Sequence, residues 1–191
     1  MTFAWLNEPP AWSGDASRLE LMTGKDTDFW RHTFYGFVRD DGHGWLTPVE
    51  GDFTASATVT GDYRHLYDQA GLMLRIDERN WIKTGIEFTD GLMHFSVVVT
   101  RDVSDWSVTP LLEAKPTDAL HVRLTRHGDA VRVQYALNHE PWQMARLAPF
   151  SSAPARAGVM ACSPQRAGFQ VTFRDISIGP AISRELHADS G

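Results

Sequence analysis

The sequence has one cysteine, Cys162, in 191 residues, so no disulfide forms within the chain and no zinc knuckle can be assembled. Cys162 lies among small apolar residues and reads as a core thiol. No run of about 18 apolar residues occurs, which excludes a membrane-spanning helix. The first residues, MTFAWLNEPPAW, lack the basic start and apolar core of a secretory signal. These absences together predict a cytoplasmic protein with no membrane partner. Positive charge is scarce as well: 18 Lys and Arg against 24 Asp and Glu leave a formal net charge of −6. Nucleic-acid affinity rests on clustered cations, so no nucleic-acid partner is expected. The eight histidines show neither H-x-H nor H-E-x-x-H spacing, and no metal site is expected. No G-x-S-x-G, Walker or dinucleotide-binding motif is found, so no cofactor is called for.

Helical periodicity is missing too. Patterned segments alternate between apolar and polar, and turn signals recur roughly every ten residues, as in a sandwich or barrel. At 42% hydrophobic residues the chain can bury a sizeable core. The expectation is an all-β, two-sheet antiparallel sandwich, one domain over 1–180 with a C-terminal tail at 181–191.

Residues 70–100 organise that expectation. They read AGLMLRID, ERN, WIKTGIEFT, Asp90-Gly91 and LMHFSVVVT. Asp-Gly between β-rich runs predicts a two-residue hairpin turn. Thr89 then faces Leu92, Glu87 faces His94, Ile86 faces Phe95, Gly85 faces Ser96 and Ile82 faces Val99. Alternation puts Ile82, Thr84, Ile86, Phe88, Met93, Phe95, Val97 and Val99 on one side. Trp81, Lys83, Gly85, Glu87, His94, Ser96 and Thr100 share the other. Parity decides the preceding loop. A three- or five-residue connection around Glu78-Arg79-Asn80 puts Leu72, Leu74 and Ile76 with Ile82, whereas four residues would turn them to the polar face. A bulged loop is expected there, and in that register Arg75 lies directly opposite Lys83. Gly71 and Gly85 would leave a shallow depression on the polar face.

Elsewhere, 3–12 reads as a short edge strand entering a turn. Strands are also expected over 17–25 and 52–60, over 119–126 and 130–137 as a hairpin, over the small apolar run 157–162, and over 169–178. The stretch 26–45 reads as loop chemistry with aromatic anchors, and whether it closes over the sheet is left open. Residues 101–118 look irregular.

YDQAGLMLR (67–75), WIKTGIEF (81–88), DWS (105–107) and GVMACSP (158–164) followed by FQVTFRDISI resemble the domain-of-unknown-function family related to the regulation-of-enolase protein. That family belongs to the concanavalin A-like lectin/glucanase superfamily. The resemblance implies a jelly roll whose concave sheet is the usual ligand face. It implies little about activity.

Glycoside hydrolysis needs two carboxyls roughly 5–10 Å apart. The strand matching the glucanase relatives offers only Glu87 on the polar face, and a second carboxylate from Asp28, Asp77 or Asp105 would need tertiary folding. No catalytic residue is therefore assigned. Two facing cations are unfavourable unless an anion joins them, so Arg75, Lys83 and Glu87 are candidate ligand contacts, with a solvated charge network as the alternative. His94 and Ser96 lie beside them. Trp30 and Trp106 are candidate stacking platforms at the rim, although tryptophans also pack under loops. The leading expectation is a non-catalytic binding module for a carbohydrate or sugar-derived anion. The alternatives are a protein-interaction or metabolic regulatory module, and a carbohydrate-active hydrolase using Glu87.

Overall fold

The structure is a computed structural model and describes residues 2–138 and 140–186. Its strands are β1 (Ala4–Leu6), β2 (Ala11–Gly14), β3 (Arg18–Met22), β4 (Phe29–Arg31), β5 (Val38–Asp40), β6 (His43–Val49), β7 (Phe53–Gly61) and β8 (Gln69–Arg75). They continue as β9 (Asn80–Thr89), β10 (Leu92–Arg101), β11 (Val103–Pro110), β12 (Leu120–His127), β13 (Ala130–Leu137), β14 (Gln143–Pro149), β15 (Ala155–Cys162) and β16 (Gln170–Gly179). A front sheet runs β1-β6-β15-β8-β9-β10-β11 and a back sheet β14-β13-β12-β7-β16-β3-β2, with β4-β5 as a separate pair. Every pairing is antiparallel, and the two large sheets form the expected sandwich.

The central hairpin has the register read from Asp90-Gly91, with Thr89 opposite Leu92 and Glu87 opposite His94. Both turn residues take positive φ, 53° and 75°, as a primed turn requires. Leu72, Leu74, Ile82, Ile86, Phe95, Val97 and Val99 meet Phe53, Val59, Leu120, Val122, Leu124, Val131, Val133 and Phe173 of the back sheet. Burying each large side chain of this kind contributes about 1.5–3 kcal/mol. Thr84 shares that apolar side, where its hydroxyl donates to the Ser96 carbonyl at 2.9 Å. Tyr135 of β13 stacks on Phe95 at 4.2 Å.

The β8–β9 connection is the shorter of the two allowed by parity. Ile76 N–H donates to Asn80 O, and the Asp77 carboxylate accepts from Arg79 N and Asn80 Nδ2. That side-chain bonding closes a tight turn. Arg75 consequently faces Trp81, and Met73 faces Lys83, so the two cations are not opposed.

Two other expectations are corrected. Residues 103–110 are an ordered edge strand on β10. Most of that edge is exposed and only Ser104 is buried, which removes the alternation that marks a half-buried strand. His43–Val49 is likewise a strand, between β1 and β15, with Gly44 and Pro48 interrupting its pattern. The point left open at 26–45 bears on function: β4 and β5 of this segment lie over the outer face of the front sheet. Phe29 and Trp30 on β4 pack with Leu46, Met73, Trp81, Val98, Met160 and Cys162 in a second apolar cluster.

Gly71 and Gly85 face each other across β8 and β9. A Cβ on Gly71 would lie 1.9 Å from Thr84 O, and one on Gly85, whose φ is 153°, would lie 2.1 Å from Ala70 O. Their role is close approach of the two backbones, and neither lines the cavity described below. Arg132 donates to the carbonyls of Ser183 and Glu185, which ties the start of the tail to the back sheet. His139, in the expected turn at 138–142, and tail residues 187–191 lie outside the described residues.

Candidate functional site

The cover and the front sheet enclose a cavity of about 360 Å³. Its floor follows from strand register. Lys83 and Glu87 lie four residues apart on one face of β9, and Gln69 of β8 is directly opposite Glu87. Val98 of β10 is opposite Lys83, and Trp106 of β11 is opposite Val98. Trp30, Tyr35 and Phe37 of the cover form one wall, and Leu66, Tyr67, Pro164 and Gln165 form the other.

Lys83 Nζ donates to Asp28 Oδ1 at 2.8 Å, and the lysine side chain is 3% exposed. Asp28 also accepts from the Phe29 N–H, while its own N–H donates to Asp41 Oδ1, each at 2.8 Å. The carboxylate is thus fixed by its own turn before it meets the lysine. Burial works against the Lys83 charge, but Asp28, with help from Glu87, outweighs it and holds the pKa above its ordinary value.

Glu87 Oε2 accepts from Ser96 Oγ at 2.6 Å and from Trp106 Nε1 at 3.2 Å. Burial pushes this carboxyl upward and nearby Asp28 adds to the push. Lys83, Ser96 and Trp106 oppose the rise without cancelling it. Beside it, Gln69 is 4% exposed. Its carboxamide lines the cavity and has no hydrogen-bond partner among the described residues. The amide opens onto the cavity, where its donor and acceptor are available to whatever enters.

The aromatic walls stand nearly at right angles. Trp106 meets Trp30 at 6.4 Å and 87°, and Tyr67 at 6.4 Å and 77°. The Tyr35 and Tyr67 hydroxyls are hydrogen-bonded, which together with burial pushes Tyr67 up to about 12. The far wall is anchored from below by Asp68, fully buried. Asp68 accepts from Arg166 Nε and Nη2, from Ser163 Oγ, and from the N–H groups of Arg64 and His65. Burial works against its charge, yet these bonds prevail and lower the pKa.

Of the residues singled out in the sequence, Lys83, Glu87, Trp30 and Trp106 share the cavity. Ser96 sits one bond behind it, on Glu87. His94 does not reach Glu87, since its Nδ1 lies 3.2 Å from Leu92 O. Arg75 is held apart in a two-pronged pair with Asp40, at 2.6 and 2.8 Å. Gln69 was within reach of sequence reasoning, because it shares the parity of Gly71, Met73 and Arg75. Of the three carboxylates that tertiary folding could supply, Asp28 is the one that lines the cavity; Asp68 and Arg166 carried no signal in the sequence.

The cavity thus presents an amide, a carboxyl and an ammonium side by side, with indole and phenol rings around them.

Compared with known proteins, residues 5–181 match the family model described as Protein of unknown function (DUF1349). The chain is 42% identical over 184 residues to Regulation of enolase protein 1 of Saccharomyces cerevisiae, covering 96% of this chain and 92% of the yeast protein. It is also similar to the crystal structure of a functionally unknown protein from Saccharomyces cerevisiae. There the TM-score is 0.89 and the identity 40%, over 95% of this chain and 97% of that one. Bacteroides ovatus Xyloglucan PUL GH43B shares the fold at TM-score 0.65 and 16% identity, over 90% of this chain but 34% of its own length. On the family match and the yeast relative together, the chain belongs to the DUF1349 family of proteins of unknown function.

Proposed function

We propose that the protein is a non-catalytic binding module that takes a small, uncharged carbohydrate in the cavity between the front sheet and its cover. The observation that carries this is the unpartnered Gln69 carboxamide beside Glu87 and Lys83, under the rings of Trp30 and Trp106. Sugar hydroxyls both donate and accept, so one ring can satisfy an amide, a carboxyl and an ammonium together, while its C–H face packs on indole. A volume of about 360 Å³ falls near the lower end of the 300–1,000 Å³ usual for ligand cavities. A sugar-derived anion fits less well. The cation pair that favoured one is absent, and Arg75 and Lys83 each already have a carboxylate. The yeast relative's name, Regulation of enolase protein 1, is compatible with a ligand-sensing role in regulation.

Trp30 and Trp106 make the test direct. Titrating neutral mono- and disaccharides should change tryptophan fluorescence in a saturable way, and Gln69→Ala and Trp106→Ala should weaken the response at least tenfold. Responses equal in wild type and both variants would refute the site.

One observation favours a second reading. Asp28 and Glu87 both line the cavity, and a carboxyl raised by burial suits a general acid. Turnover of nitrophenyl glycosides that Glu87→Gln abolishes, with folding intact, would establish a hydrolase instead.

A further inference from the structure

The cover hairpin ends in a feature that the cavity alone does not explain. Phe34 is 92% exposed and lies at φ 64°, a backbone region that a bulky residue adopts only at a cost of roughly 1–3 kcal/mol. Tyr35 and Phe37 beside it are also exposed. The three rings touch: Phe34 meets Tyr35 at 5.0 Å, and Tyr35 stacks on Phe37 at 5.5 Å and 15°. The turn is fixed by Gly36 N–H on His32 O and His32 N–H on Phe37 O. The tip therefore holds its rings outward in an ordered arrangement.

The tip is also continuous with the cavity. Tyr35 and Phe37 belong to the cavity wall, and Tyr35 meets Trp30 at 6.3 Å. An unbroken aromatic surface thus runs from the polar floor, up the wall, to Phe34 outside. A single sugar ring in the cavity cannot touch its outer end. We propose that the site extends onto this tip, so that the ligand is an oligosaccharide whose end ring enters the cavity and whose following rings lie along Tyr35 and Phe34. This rests on the carbohydrate reading above. Flat rings stacked on sugar faces gain affinity without a hydrogen bond for each unit, which suits a surface carrying no polar row of its own. A protein partner would also cover exposed aromatics, but it would not account for their continuity with a buried polar floor.

The test uses the whole chain and an array of defined neutral glycans from one to six rings. Glycans of two or more rings should give the strongest signals, with single rings bound more weakly. Solution titrations with the best-bound glycan and its shortened forms should show affinity rising about three- to tenfold as the chain reaches the tip. Asn accepts positive φ readily, so Phe34→Asn removes the ring and keeps the turn. That variant should lose the gain for long glycans and bind the single-ring form as wild type does, while Phe34→Trp should retain the gain. Affinity independent of chain length, or long glycans bound equally by Phe34→Asn, overturns the extended site and leaves the cavity reading standing. Loss of single-ring binding in Phe34→Asn overturns it too. No binding of any glycan refutes both.

Discussion

Neutralising Asp28 should expose how the floor of the cavity is held together. At 2.8 Å and an effective dielectric of about 20, the Asp28–Lys83 attraction is about 6 kcal/mol before desolvation. Breaking one side of a buried pair ordinarily costs about 3–5 kcal/mol, because the other charge is stranded. Asp28→Asn keeps an oxygen for the Phe29 N–H and removes only the charge. Lys83 is then left with Glu87 as its remaining carboxylate in the cavity, which puts the cost near the lower bound, about 3 kcal/mol. In a domain of this length that is a fall of roughly 6–12 °C in Tm. Lys83→Met strands two carboxylates instead of one ammonium. Glu87 can escape by taking a proton and Asp28 is partly exposed, so the expected loss is smaller, about 1–3 kcal/mol. The double variant should recover to within about 1 kcal/mol of wild type, since a neutral pair of similar volume replaces an ion pair at little cost. Urea denaturation of the four proteins measures the coupling. Strictly additive losses, or an Asp28→Asn loss below about 1 kcal/mol, would refute a floor organised by this pair.

Glu87→Gln should change the pH dependence of stability. The folded carboxyl lies above its ordinary value near 4.5, so the native state holds a proton that the unfolded state has released. Stability from this group is complete below about 4.5 and is lost as pH rises through the folded value. Gln, which still accepts from Ser96 and Trp106, should therefore gain on wild type as pH rises; thermal melts from pH 4 to 8 check the sign. Asp68→Asn should act oppositely, because that pKa is lowered. Its contribution is present above the unfolded value and lost on acidification, so the variant should lose about 3–5 kcal/mol near neutrality and less in acid. Proteolysis should then cut first at 62–68 or 163–168, the loops that Asp68 joins. Gly85→Ala places a Cβ 2.1 Å from Ala70 O and should cost about 3 kcal/mol or more, read as lost folded yield or a lowered urea midpoint.

The hairpin from Asn80 to Arg101 was legible because one turn dipeptide and strict alternation fix both register and faces, down to Glu87 opposite His94. The meaning of its second face was not legible. Polar residues at every other position look the same on a solvated surface and on the lining of a covered site, so both readings stood. Here the cover is a pair of three-residue strands, Phe29–Arg31 and Val38–Asp40, too short to show any period. Its anchors are pairs 55 and 35 residues apart in the chain, Lys83 with Asp28 and Arg75 with Asp40. Nothing local encodes them. Once the cover is in place, Arg75 passes from ligand candidate to structural clamp. Trp30 and Trp106, placed at the rim by sequence reasoning, line the same cavity as Lys83 and Glu87.

The most direct test is a crystal structure of the protein soaked with the neutral glycan that gives the strongest fluorescence response. The account requires a sugar ring in the cavity, with hydroxyls within hydrogen-bond distance of the Gln69 carboxamide and Glu87, and a ring face against Trp30 or Trp106. Sugar bound elsewhere, with Gln69 still unpartnered, would contradict it.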